Sequence, residues 1–191
     1  MREIGLFFGS FNPIHTGHMI IANLVKETTS VEEIWFVVSP QNPFKKNKNL
    51  LHEFDRLDLV TSAIAGDYKF KVSDIEFNMP KPSYTIDTLA LLREKHPDRK
   101  FRLIIGGDNL SSFTKWKNHQ EIIDQFGLIV YPRPNAPHTD LLSAKNVEVI
   151  EAPELDISAT LIRKLIKDNK SVKYLVPEPV EAKIQKEGYY R

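Results

Sequence analysis

The chain has 191 residues, which suits one domain with a substantial core, and it contains no cysteine, which excludes disulfides and thiol catalysis. Its hydrophobic fraction (41%) and charged fraction (27%) are ordinary for a globular protein, and a formal net charge of +1 creates no general field for nucleic acid or an anionic membrane. The first apolar run is interrupted by Gly5 and Gly9 and is too short for a signal-peptide core or a membrane span, so we expect a cytoplasmic protein.

The stretch GSFNPIHTGH (residues 9–18, the amino-terminal motif) lies between two predicted elements. Residues 4–8 are an apolar run typical of a buried strand, and a helix is predicted from Thr16, which we expect to cap it. Gly9 permits a close backbone approach or a positive φ. Because the start of a helix presents unpaired N–H groups and the positive end of the helix dipole, this junction suits a phosphate.

The two histidines of the amino-terminal motif, His15 and His18, are three residues apart and can face the same anion. Zinc ligation is the alternative, but no further histidine and no cysteine offers an obvious ligand set. We therefore predict no metal site formed by the protein alone.

The remaining pattern alternates strands with helices. Further strands are predicted at 34–38, 70–77, 101–105, 127–131 and 147–150, and helices at 53–65, 85–92, 119–126 and 157–166, with a last helix opened by Pro177 and Pro179. This order predicts an α/β fold, a single-domain Rossmann-like parallel sheet with helices on both faces, and a C-terminal helical portion from about residue 157 to residue 191. Ligands of such folds lie beyond the carboxyl ends of the strands. The helix at 53–65 is assigned only a packing role, with Phe54, Leu57, Val60 and Ile64 on its apolar face and Arg56 among the residues of its polar side.

Two loops at that end of the sheet carry candidate ligands. The loop at 39–51 contains Lys45 and Lys46, which are either a solvated charge cluster or ligands of a triphosphate, and its closure over nucleotide is left open. The loop before the helix at 85–92 reads SYT, where Ser83 or Thr85 could cap the helix and where free N–H groups predict a second anion site sized for a carboxylate.

The sequence GGDN follows the strand at 101–105. Gly106 and Gly107 allow a ligand to approach the backbone, and Asp108 can accept hydrogen bonds from ribose hydroxyls, although the same residues are equally typical of a turn. Trp116 is either a core aromatic or a surface for stacking a heteroaromatic ring, and its polar neighbours favour the ring. Arg133 either lies against a base or points into water.

The stretch ISATLIR (residues 157–163, the second motif) opens the predicted helix at 157–166. Ser158 can cap the helix, Thr160 lies in its first turn, and Arg163 can reach the same point, so the three side chains can converge on one phosphate chain. An ordinary capped amphipathic helix is the alternative.

Taken together, the two motifs resemble the GxFxPxHxGH and ISxTxxR signatures of the nucleotidyltransferases with an HxGH motif. With SYT, GGDN and the KW pair at 115–116, the chain is similar to the bacterial nicotinate mononucleotide adenylyltransferases. The resemblance implies transfer of AMP from ATP to nicotinate mononucleotide, giving nicotinate adenine dinucleotide and pyrophosphate in NAD biosynthesis.

The resemblance also implies roles for particular residues. His15, His18 and Arg163 would be catalytic, with His18 at the α-phosphate and Arg163 at the β and γ groups. The residues implied in binding ATP are Gly9, Ser10, Phe11, Lys45, Lys46, Gly107, Asp108, Ser158 and Thr160. Those implied in binding the mononucleotide are Tyr84, Thr85, Trp116 and Arg133. ATP would be the co-substrate, and Mg²⁺ would bridge its phosphates.

Two other functions remain open from the sequence. One is an adenylyltransferase that acts on nicotinamide mononucleotide or phosphopantetheine, and the other is a non-catalytic nucleotide-binding module. We expect small-molecule substrates, no nucleic acid and no membrane, while a homo-oligomer is left open.

Overall fold

A computed structural model describes residues 1–40 and 50–191 of the chain. Its sheet has six strands: β1 (Arg2–Gly9), β2 (Glu33–Val38), β3 (Phe70–Ser73), β4 (Arg99–Gly106), β5 (Leu128–Tyr131) and β6 (Val147–Val149). All neighbouring strands are parallel, in the order β3-β2-β1-β4-β5-β6. This is the doubly wound Rossmann order, in which the winding direction reverses between β1 and β4. The predicted Rossmann-like parallel sheet is confirmed.

Helices cover both faces of the sheet, as predicted. They are α1 (Thr16–Thr28), α2 (Glu53–Ala63), α3 (Thr85–Lys95), α4 (Gly107–Leu110), α5 (His119–Gln125), α6 (Ala159–Lys167) and α7 (Glu178–Glu187), and short 3₁₀ turns lie at Ile75–Asn78, Phe113–Lys115 and Asp140–Ser143. Strand residues alternate between two buried clusters. Phe36 of β2 belongs to the cluster that contains residues of α1, α2, α6 and α7, and Trp35 belongs to the one that contains residues of α3 and α5. The end of α7 at Gly188, with φ +68°, follows the predicted stop signal.

Strand β3 is shorter than predicted. Its pairing with β2 ends at Val37 and Ser73, and β2 itself ends one residue later, so a longer β3 would have no neighbour to bond. The chain instead forms the turn at Ile75–Asn78 and buries Glu76, whose carboxyl accepts a hydrogen bond from Thr88 Oγ1 at 2.8 Å.

The helix starts also differ in detail from the predictions. The residue before α1 is His15, and Thr16 does not cap the helix but donates from Oγ1 to the carbonyl of Tyr174 at 2.9 Å. Neither Ser83 nor Thr85 caps α3, which Tyr84 precedes without a side-chain bond. The Ser158 cap of α6 is confirmed, since its hydroxyl accepts from the amide of Leu161 at 3.2 Å.

Candidate active site

A cleft of about 900 Å³ lies beyond the carboxyl ends of β1 and β4, where the sheet changes winding direction. Most of the residues singled out in the sequence line it. They are Gly9, Ser10, Phe11, His15, His18, Asp108, Trp116, Arg133, Ser158, Thr160 and Arg163. The fold therefore brings the two motifs, residues 9–18 and 157–163, to one place.

A few of the predicted site residues lie elsewhere. Tyr84 precedes α3 and Thr85 begins it, outside the lining of the cleft, although Lys117, which contacts this helix, directly follows the lining residue Trp116. The Lys117 ammonium lies 4.9 Å from the centre of the Tyr84 ring and 2.9 Å from the Asp87 carboxylate. Gly107 opens α4 next to the lining residue Asp108. The predicted ligands Lys45 and Lys46 lie outside the described residues.

The glycines of the amino-terminal motif make room for its own side chains. A Cβ at Gly9 would come within 2.8 Å of the Phe11 ring, and a Cβ at Gly17 would come within 3.1 Å of His15 Nδ1. Phe11, at φ +44°, is only 2% exposed, and its ring centre lies 5.1 Å from that of His18. The motif therefore uses small residues to bury Phe11 beneath the histidines.

The two histidines form a stacked pair with ring centres 3.6 Å apart. The backbone N–H of His15 donates to His18 Nδ1 at 3.2 Å, which leaves the proton of a neutral His18 on Nε2. His15 Nδ1 is buried without a hydrogen-bond partner among the residues described. The His15 side chain faces the backbone N–H of His18, in the capping arrangement that the two histidines form at the start of α1.

Both imidazoles are neutral at neutral pH. Burial, followed by the charge of Arg133, lowers the pKa of His15 from 6.5 to about 4. Burial, then His15, then Arg133 lower the pKa of His18 well below its usual range. The pair can therefore donate hydrogen bonds without carrying a charge.

The start of α1 is less open to an anion than predicted. The amide of Thr16 donates to the carbonyl of Leu175 at 2.9 Å, and the amide of His18 donates to the carbonyl of His15 at 2.9 Å. Side chains, rather than a row of free amides, are thus the main donors that α1 presents to the cleft.

Arg163 connects the two motifs directly. Its Nη1 donates to the carbonyl of Asn12 at 2.7 Å, and its Nη2 donates to Thr160 Oγ1 at 3.2 Å. A guanidinium has five N–H groups, so donors remain for a ligand after these two bonds. The second motif therefore does more than cap an amphipathic helix.

Arg133 and Asp108 lie opposite each other at the β4 and β5 side of the cleft, with Nε 3.9 Å from Oδ1. The Arg133 guanidinium also lies 5.4 Å from the centre of the Tyr131 ring and donates to the carbonyl of Leu155 at 3.3 Å. A Cβ at Gly106 would collide with Asp108 Oδ1, so this glycine makes room for the carboxylate. Arg133 is thus held inside the cleft rather than directed into water.

Trp116 has features of both alternatives, a core aromatic and a surface on which a ring can stack. Its ring packs 5.0 Å from that of Phe113, which is fully buried, and the partly exposed Trp116 also lines the cleft. One side of the indole contacts the core while the residue remains accessible to a ligand.

Arg56 is an important residue that the sequence analysis missed. Its side chain is 0% exposed, and its guanidinium donates to four backbone carbonyls, those of Ser10, Ser39, Pro40 and Leu51, at 2.6–2.9 Å. Assigning α2 only a packing role was wrong, because Arg56 fastens the amino-terminal motif to the chain on both sides of residues 41–49.

A sequence signal for Arg56 does exist. It lies four residues before Val60 and eight before Ile64, on the buried face of α2, whereas Phe54, which was assigned to that face, is 59% exposed.

Within residues 1–40 and 50–191, no group of three or more His, Cys, Asp or Glu side chains could hold a metal ion. The helices of these residues include none with the length and apolar character needed to cross a membrane.

Comparison with known proteins agrees with this geometry. The family model described as cytidylyltransferase-like matches residues 6–165. A protein of Cytophaga hutchinsonii named "Probable nicotinate-nucleotide adenylyltransferase" is 58% identical over 98% of both chains. A protein of Christiangramia forsetii with the same name is 46% identical over 100% of this chain and 99% of its own.

Solved structures share the fold. The nicotinic acid mononucleotide adenylyltransferase of Plasmodium falciparum, complexed with NaAD, superposes with a TM-score of 0.84 at 21% identity, covering 100% of this chain and 98% of that one. The family match and the identity of the relatives over nearly their whole length show that this chain belongs to the cytidylyltransferase-like family and, within it, to the nicotinate-nucleotide adenylyltransferases.

Proposed function

We propose that this protein transfers AMP from ATP to nicotinate mononucleotide, giving nicotinate adenine dinucleotide and pyrophosphate, a reaction of NAD biosynthesis. The observation that carries the proposal is the meeting of His15, His18 and Arg163 in one cleft, in a chain 58% identical to a relative named for this activity.

The chemistry needs no protein nucleophile. A 5′-phosphate oxygen of the mononucleotide attacks the α-phosphorus of ATP, a new P–O bond forms, and the bond from the α-phosphorus to the bridging oxygen breaks as pyrophosphate leaves. The attacking phosphate is already anionic at neutral pH, so no base has to remove a proton. Alignment of the two reactants can supply about 7–11 kcal/mol of the barrier reduction, and donors held in place for the developing charge can supply several more.

The histidine pair and Arg163 are suited to this task. In the proposed complex, His18 donates its Nε2–H to the α-phosphate, and the stacked His15 lines the same phosphate site. The remaining N–H groups of Arg163, with Ser158 and Thr160 beside it, hold the β and γ groups as charge moves onto pyrophosphate.

The other side of the cleft would hold the two nucleosides. We assign Gly107 and Asp108 to the adenosine, and Trp116 to the pyridine ring, with Tyr84 and Thr85 at the carboxylate. Arg133 faces Asp108, and its positive charge acts on both histidines. Gly9, Ser10 and Phe11 shape the floor of the phosphate site, and we keep Lys45 and Lys46 as candidate phosphate ligands.

We also propose that Mg²⁺ enters with ATP. The carboxylates that line the cleft are Asp108 and Asp156, and Asp108 faces Arg133, so the described residues fit an ion held chiefly by phosphate oxygens and water. When bound, the ion supplies charge neutralisation on the triphosphate. We further propose that the enzyme is cytoplasmic and acts on small anionic substrates, without nucleic acid or a membrane as a partner.

A single assay tests the reaction. Purified protein with ATP and Mg²⁺ is given nicotinate mononucleotide, nicotinamide mononucleotide or phosphopantetheine, and both pyrophosphate and the adenylylated acceptor are measured. We expect nicotinate mononucleotide to give the highest kcat/KM, because N–H donors favour its carboxylate over a neutral amide. ATP binding without pyrophosphate release for any acceptor would instead indicate a non-catalytic nucleotide-binding module.

A further inference from the structure

The segment after α7 returns to the amino-terminal motif. Gly188, in the left-handed conformation, ends the helix, and the chain then places the Tyr190 hydroxyl 3.0 Å from Asn12 Oδ1, to which it donates. The two residues are 178 positions apart in the chain. Asn12, in contrast to the partly exposed Tyr190, is buried.

Asn12 joins several parts of the chain. Its side-chain Oδ1 also accepts a hydrogen bond from the amide of Leu51 at 3.2 Å. Its backbone carbonyl accepts from Arg163 Nη1 at 2.7 Å. Tyr190, Leu51 and Arg163 therefore all bond the same residue, the first two at its side chain and the third at its backbone carbonyl.

We infer that Tyr190 is a positioning residue for the triphosphate site, because its hydroxyl fixes Asn12 and thereby the carbonyl that holds Arg163. This inference rests on the proposed function, in which Arg163 binds the β and γ phosphates. Tyr190 acts through Asn12 and need not contact the substrate itself.

The hydroxyl is suited to act as a permanent donor. Burial raises the pKa of Tyr190 well above its usual range, although the nearby charges of Arg163 and Arg56 act in the opposite direction. The hydroxyl therefore stays protonated at any pH at which the enzyme would work. Removing the Tyr190 hydroxyl leaves Asn12 Oδ1 with one donor fewer and weakens the constraint on the loop that contains Asn12.

The test is the pair of variants Tyr190→Phe and Tyr189→Phe. Each change removes one hydroxyl and keeps the ring. Tyr189 is a matched control, because its hydroxyl donates to Asp55 Oδ1 on α2, at 3.1 Å, rather than to the amino-terminal motif. Thermal denaturation of both variants checks that each is folded.

In steady-state assays, Tyr190→Phe should raise the KM for ATP about fivefold, the effect of losing one hydrogen bond of ordinary strength. The KM for nicotinate mononucleotide should change by less than about twofold in Tyr190→Phe. In Tyr189→Phe, both KM values should change by less than about twofold. The same loss, about fivefold, should appear in the affinity for α,β-methylene-ATP, measured by calorimetry without an acceptor.

Equal KM values for ATP in the two variants, or equal rises for both substrates in Tyr190→Phe, would overturn the inference in favour of a purely structural hydroxyl. If the wild-type protein releases no pyrophosphate with nicotinate mononucleotide, the proposed function fails, and the calorimetric comparison alone decides the role of Tyr190. Unchanged affinity for the analogue in Tyr190→Phe would then overturn the inference.

Discussion

Acidification from pH 7 to pH 5 should destabilise the folded protein through His15. Burial and the charge of Arg133 lower the pKa of His15 from 6.5 to about 4. Between these values the unfolded chain takes up a proton that the folded chain does not, so the free energy of unfolding falls as the pH falls. The stability that depends on neutral His15 is complete above pH 6.5 and is lost progressively towards pH 4.

The size of the effect follows from the same two pKa values. A shift from 6.5 to about 4 corresponds to about 3 kcal/mol over the whole range. The part lost between pH 7 and pH 5 is about 2 kcal/mol. His18 contributes in the same direction, because its pKa is also lowered.

Urea denaturation of the wild type and of His15→Gln at pH 7 and pH 5 measures the effect. Protonation of distant carboxylates lowers the stability of both proteins alike, so the difference between their pH dependences reports His15 together with its coupling to the stacked His18. The wild type should lose about 2 kcal/mol more than the variant. An equal loss in both proteins would show that His15 is not held neutral by its surroundings, and the account of the stacked pair would be refuted.

Three substitutions probe other parts of the site. His18→Ala should lower kcat by about 10²–10³ with unchanged circular dichroism, and wild-type turnover in this variant would remove His18 from the mechanism. Trp116→Ala should raise the KM for nicotinate mononucleotide more than that for ATP, whereas equal effects would place Trp116 away from the pyridine. Arg56→Leu should lower the free energy of unfolding in urea by about 3–5 kcal/mol, because four carbonyls lose their donor. Arg93→Leu, at an exposed position of α3, is its control and should cost less than about 1 kcal/mol; equal costs would contradict the role of Arg56.

Much of the fold follows from patterns that are local in the sequence. Buried strands such as β2 and β5 are continuous apolar runs, and their alternation with helices leads to a parallel sheet whose carboxyl ends meet at one edge. The two motifs each lie at a helix start on that edge. Their meeting in one cleft could therefore be predicted without any knowledge of tertiary contacts.

The details that could not be predicted depend on partners far away in the chain. The length of β3 depends on where β2 ends, and Thr16 bonds the carbonyl of Tyr174 instead of capping its own helix. Arg56 was assigned to the solvent face of α2 because Phe54 was counted on the apolar face, whereas Phe54 is exposed and Arg56 is buried. No repeating pattern of residues in the sequence predicts the hydrogen bond between Asn12 and Tyr190.

The bond from Arg163 to Asn12 also has a consequence for biosynthesis on the ribosome. These residues are 151 positions apart, and at 5–20 residues per second roughly 8–30 s pass between their translation. A nascent chain therefore carries its histidines well before the guanidinium that would anchor a triphosphate has been made. Turnover can therefore first appear only after α6 has been synthesised and has docked beside the amino-terminal motif.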